Sequence, residues 1–341
     1  MTDKVIVGTG SYLPEQVVTN GDIEATALDF DRDRAGCTLD EWCREHMGAV
    51  ERRRVAPGEG TSDMATCAAS RALEDARMDA TDLDLIVLAT ITSDHRVPPT
   101  AALVQRDLGT PARFLQLDSA CTGFVDALMV ADALLDRLEG EHALVVGTDA
   151  MSHYMDPQKF RAQTIFGDGA GAVVLRNGMD GDYGVKAYST GSSGADGHMV
   201  AVPAGGTKKP ITEEVIARRE QYMELALKVI PPFGVAKMVQ ATQEVLERAG
   251  ACISDVDWVV PHQASCNIVT DTANALGLPM EKFILNFGTV GNTSAASVPV
   301  ALDQANRLGC FRDGERLVLP AVGAGMAWGA AYLVWHDYRR Y

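Results

Sequence analysis

Two stretches of this chain match each other at a fixed distance. Residues 73–87 read LEDARMDATDLDLIV and residues 246–260 read LERAGACISDVDWVV, so Leu, Glu, Ala, Asp, Asp and Val recur at an offset of 173. At the same offset of 173, Leu144-Val145 meets Leu317-Val318 and Cys121 meets Ser294. Shared amphipathic patterning produces one such match by chance, whereas three separated landmarks at one offset point to an internal duplication. Strand-like apolar runs alternate with helix-period segments throughout, which predicts an α/β fold with buried sheets. The expected organisation is two similar βα halves, residues 1–178 and 179–341, packed as a pseudo-dimer. Active sites of open α/β sheets lie beyond the carboxyl ends of strands, so residues from both halves are expected to meet in one place.

Charge and cysteine usage narrow the partners. A net charge of −16 argues against nucleic acid or an anionic membrane as ligand. Seven cysteines without a CxxC pair suggest neither a disulfide framework nor a zinc knuckle, as expected of a reduced, cytoplasmic protein. Met1 to Gly8 reads as a first strand without signal-peptide form, and no apolar run approaches membrane-spanning length. Gly8-Thr9-Gly10 lacks the third glycine and the acidic residue of a dinucleotide fingerprint. His262 and Cys266 are four apart with no further ligands converging, so neither a metal nor a redox cofactor is expected. The polar stretch from Gly191 to Arg219 reads as a mobile excursion, and Pro210, Pro231 and Pro232 bracket a cap over the site entrance.

Three short segments carry chemistry. Cys121 lies between a strand-like run (Ala112 to Leu117) and a helix-like run (Val125 to Leu135), which places its thiol at the first turn of a helix. Unpaired N–H groups and the positive end of the dipole there favour thiolate over thiol. His262 follows a strand ending at Pro261, where a packed or surface histidine is the alternative to a catalytic one. Gly291-Asn292-Thr293-Ser294 alone looks like a turn before a helix N-cap. The run from Val322 to Gly329 reads as a tight turn whose glycines also let backbone N–H groups approach a reacting oxygen.

Taken together and in this order, Ala-Cys121, Pro-His262-Gln-Ala and Gly-Asn292-Thr-Ser-Ala-Ala-Ser-Val-Pro closely resemble the β-ketoacyl-acyl-carrier-protein synthase III family of thiolase-fold condensing enzymes. The likeness runs from Gly8-Thr9-Gly10-Ser11-Tyr12-Leu13-Pro14 through Ile165-Phe166-Gly167-Asp168-Gly169-Ala170-Gly171-Ala172 to Trp328-Gly329. It implies an α/β thiolase fold in five αβαβα layers and a homodimer. It also implies Cys121 as the nucleophile that takes an acyl group from an acyl-coenzyme A, with the N–H groups of Cys121 and Gly325 holding the oxyanion. His262 and Asn292 would then stabilise the enolate left when a malonyl thioester, on coenzyme A or on acyl carrier protein, loses carbon dioxide. An Asp in place of Asn292 would repel that enolate, so Asn292 favours decarboxylative condensation over plain acyl transfer. The rival keeps acyl-Cys121 but delivers the group to a hydroxyl or amine. Coenzyme A thioesters enter as substrates, and no separate cofactor is implied.

The chain departs from the family pattern around the entrance. The family's docking arginine for carrier protein falls on Asn267, its paired lysines on Asn274 and Ala275, and another basic position, beside Phe233, on Gly234. Trp42 matches the position that stacks on adenine, although it also reads as an ordinary helix anchor. The arginine that sandwiches adenine falls on Phe160, which is expected to stack instead, with Arg161 reaching a phosphate. The Phe that closes the acyl pocket from the partner subunit falls on Val97, beside Arg96, which predicts room for a longer or bulkier acyl group. The stretch Thr26 to Asp40 and the Ile230-Pro231-Pro232 insertion are longer than the family pattern and reshape the entrance.

Overall fold

The computed structural model describes residues 3–178 and 181–340. Its strands are β1 (Lys4–Tyr12), β2 (Gln16–Thr19), β3 (Glu51–Arg54), β4 (Leu85–Ala89), β5 (Arg113–Leu117), β6 (His142–Ala150), β7 (Asp168–Asn177), β8 (Gly184–Ser192), β9 (Val200–Ala201), β10 (Glu224–Leu225), β11 (Trp258–Val259), β12 (Arg316–Gly323) and β13 (Ala327–Val334). One sheet has the order β1-β7-β6-β4-β5 and the other β8-β13-β12-β11. The two orders superpose. In each, two parallel strands (β4 and β6, β11 and β12) are followed by two antiparallel pairings. The counterpart of β5 is reduced to a parallel bridge between Val259 and Phe283. The second half thus repeats the first but lacks a full fifth strand. The expected junction between 178 and 179 touches residues 179 and 180, which lie outside the described residues. On either side of it, β7 ends at Asn177 and β8 begins at Gly184.

Apolar continuity explains the layering. β4 reads LIVLA with every residue buried, and β6 and β12 are buried along nearly their whole length. Such strands need cover on both faces. Helices Gly123–Leu138 and Ser297–Arg307 fill the space between the sheets, where Phe124, Leu128, Val298 and Leu302 meet strand residues of both halves. Helices Thr61–Ala76 and Thr100–Leu108 cover the outer face of the first sheet, and Ile230–Ala249 and Cys266–Leu276 that of the second. The result is the five-layered αβαβα thiolase fold. Gly8 and Gly10 serve this packing: a Cβ on them would stand 2.3 Å from the carbonyl oxygens of Ala72 and Ala68. The alanine-rich helix therefore lies directly on the β1 backbone. Among the described residues, no helix is long and apolar enough to cross a membrane.

Candidate active site

The loop that carries Cys121 passes through the left-handed backbone region. β5 ends at Leu117, Ala120 takes φ +46, and a 3-10 turn over Ala120–Thr122 leads straight into the helix Gly123–Leu138. A non-glycine residue held there costs about 1–3 kcal/mol, which its surroundings must offset. The Cys121 thiol donates to Ser294 Oγ at 3.7 Å, so the pair matched by the sequence repeat meets in space. The expected resting thiolate is not what the structure gives. Burial pushes the Cys121 thiol up to about 12, and the Asp149 carboxylate adds to the rise. Hydrogen bonding with the Ser294 hydroxyl and the Ala324 N–H opposes it without reversing it. Desolvation outweighs the helix end because the sulfur sits at the bottom of a mostly apolar cavity.

His262 extends the parallel edge of the second sheet. β11 itself stops at Val259, short of the expected end at Pro261, yet Val260 N–H and His262 N–H continue its ladder by donating to Val318 and Pro320 carbonyls at 2.9 and 2.8 Å. The next residue locks the presentation: Gln263 N–H donates to Ser297 Oγ at 2.9 Å, while its Oε1 accepts the N–H groups of Asn286 and Phe287 at 2.9 Å each. Burial pushes the His262 imidazole down to about 3, so the ring is neutral at physiological pH. Its Nδ1 makes no hydrogen bond among the described residues.

Asn292 is oriented by its neighbour. Its Oδ1 accepts the Ser294 N–H at 2.8 Å, which leaves the amide NH2 as the end free to donate. Its backbone is stitched to the first half, with Asn292 N–H donating to Ile165 O at 2.8 Å and Gly167 N–H donating to Asn292 O at 3.1 Å.

These groups line one cavity of about 250 Å³, together with Ile91, Met151, Phe166, Met223 and Leu225. Val200 and Leu225 come from the β9–β10 ribbon, and Met223 immediately precedes β10. Met223 and Leu225 thus fall in the segment that Pro210, Pro231 and Pro232 bracket. That stretch folds into the short helix Glu213–Ala217 and is tied down where Arg219 Nε donates to the buried Asp156 at 2.7 Å. Pro231 opens the helix Ile230–Ala249 and lines the cavity, and Gly323, Ala324 and Met326 line it too. Gly325, with φ +124, stands back from the wall, and the turn offers the Ala324 N–H to the sulfur instead.

The exposed end is built around Trp42. Thr38 and Glu41 form a reciprocal cap, Glu41 N–H to Thr38 Oγ1 at 3.2 Å and Thr38 N–H to Glu41 Oε2 at 2.8 Å. That cap starts the helix Leu39–His46. His46 stacks on Trp42 at 4.7 Å and 11°. Phe160 does not face the lumen: it is buried, edge-on to Trp42 at 5.3 Å and to Phe30 at 5.2 Å. Arg161 takes the lumen position, its guanidinium 5.6 Å from the Trp42 ring centre. Asn267 Nδ2 donates to the His46 carbonyl at 2.7 Å. Phe233 lies outside the cavity wall, edge-on to Trp328, with Lys237 Nζ 4.0 Å above the Trp328 ring. Val97 is 85% exposed and away from this chain's own cavity, and Arg96 donates to the Gly205 carbonyl.

Comparison with known proteins agrees with this geometry. The family described as 3-oxoacyl-[acyl-carrier-protein (ACP)] synthase III matches residues 115–194, and its C-terminal counterpart matches residues 246–335. Beta-ketoacyl-[acyl-carrier-protein] synthase III 3 of Streptomyces coelicolor is 39% identical over 97% of both chains. The chain belongs to the 3-oxoacyl-[acyl-carrier-protein] synthase III family. The crystal structure of 3-oxoacyl-(acyl carrier protein) synthase III from Pseudomonas aeruginosa superposes with a TM-score of 0.87 at 36% identity, covering 98% of this chain and 99% of that one. The priming β-ketosynthase of the R1128 polyketide pathway gives 0.88 at 28% identity, covering 98% and 97%. As a synthase III, this chain is a condensing enzyme of the acyltransferase class.

In synthase III terms, the cavity couples a neutral nucleophile with two neutral donors, the arrangement suited to a reaction whose negative charge appears only in transit. Sequence reasoning named Cys121, His262 and Asn292 but passed over Ser294 and Asp149 as working residues. The signal for Ser294 was present, since the repeat pairs it with Cys121.

Proposed function

We propose that Cys121 is acylated by an acyl-coenzyme A, and that the acyl group is then condensed with a malonyl thioester to give a β-ketoacyl product. The observation that carries this reading is the fixed amide of Asn292, which presents donors rather than acceptors beside Cys121 and the neutral His262. Cys121 sulfur attacks the thioester carbonyl, and its own N–H and the Gly323–Met326 turn face the developing oxyanion. After acylation, the malonyl carbonyl accepts from Asn292 Nδ2 and an imidazole N–H of His262. Loss of carbon dioxide then builds charge on an oxygen already met by two donors. The enolate carbon attacks the acyl carbonyl, and Cys121 leaves. No cofactor beyond the thioester substrates takes part in this scheme.

Intact mass after incubation with a panel of acyl-coenzyme A thioesters tests it. A single adduct absent from Cys121→Ala, followed by carbon dioxide release on adding malonyl-coenzyme A, is the expected result. An adduct discharged to a hydroxyl or amine acceptor without carbon dioxide would replace condensation by acyl transfer.

Arg161 and Trp42 are proposed to hold the nucleotide end, the guanidinium supplying the cation for a phosphate or a face for the base. Arg161→Ala is expected to raise KM for the acyl-coenzyme A roughly 10-fold with little change in kcat, an effect of the size of one charge-assisted contact. Steady-state kinetics with a short acyl-pantetheine, which lacks the nucleotide, should show no such rise.

A homodimer is also proposed, in a cytoplasmic protein. β5 ends the first sheet with its outer edge unpaired among the described residues and carries Phe114, Leu115 and Leu117 half-buried, an edge that invites a second copy. Val97, exposed on this chain, would then reach the partner's acyl pocket. The helix Cys266–Leu276 bears Asp271 and no Lys or Arg, which favours malonyl-coenzyme A over a strongly acidic carrier protein as acceptor.

A further inference from the structure

Asp149 is buried in the heart of the molecule, next to the last residue of β6, where a carboxylate contributes nothing to packing. Its oxygens accept the Ile91 N–H at 2.8 Å, Thr90 Oγ1 at 2.9 Å, Thr92 Oγ1 at 3.0 Å and the Ala295 N–H at 3.2 Å. Burial pushes the Asp149 carboxyl up, which makes its ionised form the stronger proton acceptor, and the Ser294 hydroxyl beside it counters that rise. Ser294 in turn accepts from the Cys121 thiol at 3.7 Å. Ala295, the residue after Ser294, donates its N–H to this carboxylate, so thiol, hydroxyl and carboxylate lie in sequence from the reacting sulfur to a buried acid that the condensation scheme leaves unused. Ser294 is held in the left-handed backbone region, φ +54, which keeps its hydroxyl on the sulfur while its N–H orients Asn292.

Resting on the acyl-Cys121 reading above, we propose that Asp149, acting through the Ser294 hydroxyl, receives the Cys121 proton during acylation and returns it during condensation. In the first step the Cys121 S–H bond breaks as the sulfur–carbonyl bond forms. Ser294 Oγ takes that proton and passes its own to Asp149, and coenzyme A leaves as a thiolate that is protonated from solvent. In the second step the enolate carbon bonds to the acyl carbon and Cys121 sulfur is expelled. The sulfur recovers its proton through Ser294, and Asp149 is a carboxylate again. One proton is drawn from solvent per turnover, matching the loss of malonyl carboxylate as carbon dioxide. The relay keeps a single negative charge in the low-dielectric site, moved from carboxylate to sulfur, where a direct ionisation of Cys121 would place two anions side by side. It also leaves His262 neutral, as a hydrogen-bond donor requires.

Ser294→Ala isolates the hydroxyl, because the backbone N–H that orients Asn292 remains. Rapid-quench intact mass is expected to show acylation by an acyl-coenzyme A slowed ~100-fold, the lower range for a general acid–base group. Carbon dioxide release from malonyl-coenzyme A by the acyl-free enzyme should stay within about threefold of wild type on that same argument. A proton inventory of the acylation step in mixed H2O and D2O should be bowed in wild type, with two protons in flight, and linear in Ser294→Ala. Asp149→Asn should slow acylation at least as much, and the double variant no more than the slower single one. Acylation by Ser294→Ala at the wild-type rate, an unchanged bowed inventory, or equal slowing of acylation and decarboxylation would each overturn the relay. Failure of the wild type to form any acyl adduct would instead remove the functional reading on which the relay rests.

Discussion

Asn292→Asp is expected to acylate Cys121 at close to the wild-type rate and to lose condensation by ~1,000-fold, the upper range for removing one oxyanion donor. The substitution is nearly isosteric, and one carboxylate oxygen can still accept the Ser294 N–H that now fixes the amide at 2.8 Å. The change is confined to the other end, where a donor becomes an acceptor carrying charge. Acylation places no charge there. Decarboxylation places a full enolate oxygen there, so ground-state binding survives and the transition state is lost. Rapid-quench mass for the adduct and carbon dioxide release from malonyl-coenzyme A separate the two. Equal slowing of both steps would mean that Asn292 holds the Ile165–Gly167 segment in place rather than meeting the enolate.

Duplication was legible because the same register of charged and apolar residues recurs in both halves. The two sheets then repeat one strand order, and Cys121 touches Ser294, its counterpart in the repeat. The Cys, His and Asn positions were legible because each sits in a short motif at a strand end or turn. What escaped the sequence depends on competition between terms. A helix start favours a thiolate, yet the apolar cavity around Cys121 weighs more, and no one-dimensional pattern reports cavity depth. Phe160 left its expected stacking place because helical phase at the start of a six-residue helix is set by what it packs on. Here that is the Trp42 and Phe30 cluster, which takes the phenyl ring inward and leaves the guanidinium outside. Arg52 was equally opaque. It is fully buried in β3 with no carboxylate, held by the carbonyls of Val18 and Thr164 at 3.1 and 2.8 Å and by Asn20 Oδ1 at 2.8 Å. It anchors the chain that leads to the Asn292 bridge, a role that a run of three arginines does not advertise.

Gly323→Ala is expected to slow acylation ~100-fold or more while leaving the fold intact, because a misplacement of about 1 Å at a reacting group carries a loss of that order. A Cβ at residue 323 would stand 2.9 Å from Cys121 N, 3.0 Å from Thr122 N and 3.2 Å from Cys121 Cβ. Each of these is tighter than ordinary contact, and the first two are backbone atoms of the turn that presents the nucleophile. The turn must give way, and the Cys121 N–H within it is the one proposed to face the oxyanion. Gly10→Ala provides the contrast. Its Cβ would come 2.3 Å from the Ala68 carbonyl, between β1 and its covering helix, far from the cavity. Overpacking of that kind destabilises by roughly 1–3 kcal/mol, so Gly10→Ala should lower the denaturation midpoint while leaving kcat of the folded fraction unchanged. Gly323→Ala should do the reverse, and a midpoint drop in Gly323→Ala equal to that of Gly10→Ala would show that the Cys121 turn is as rigid as the helix–strand layer rather than free to yield. The two glycines look alike in the sequence. Only what stands opposite them, a structural helix or the nucleophile's own backbone, decides whether the added methyl is felt as stability or as rate.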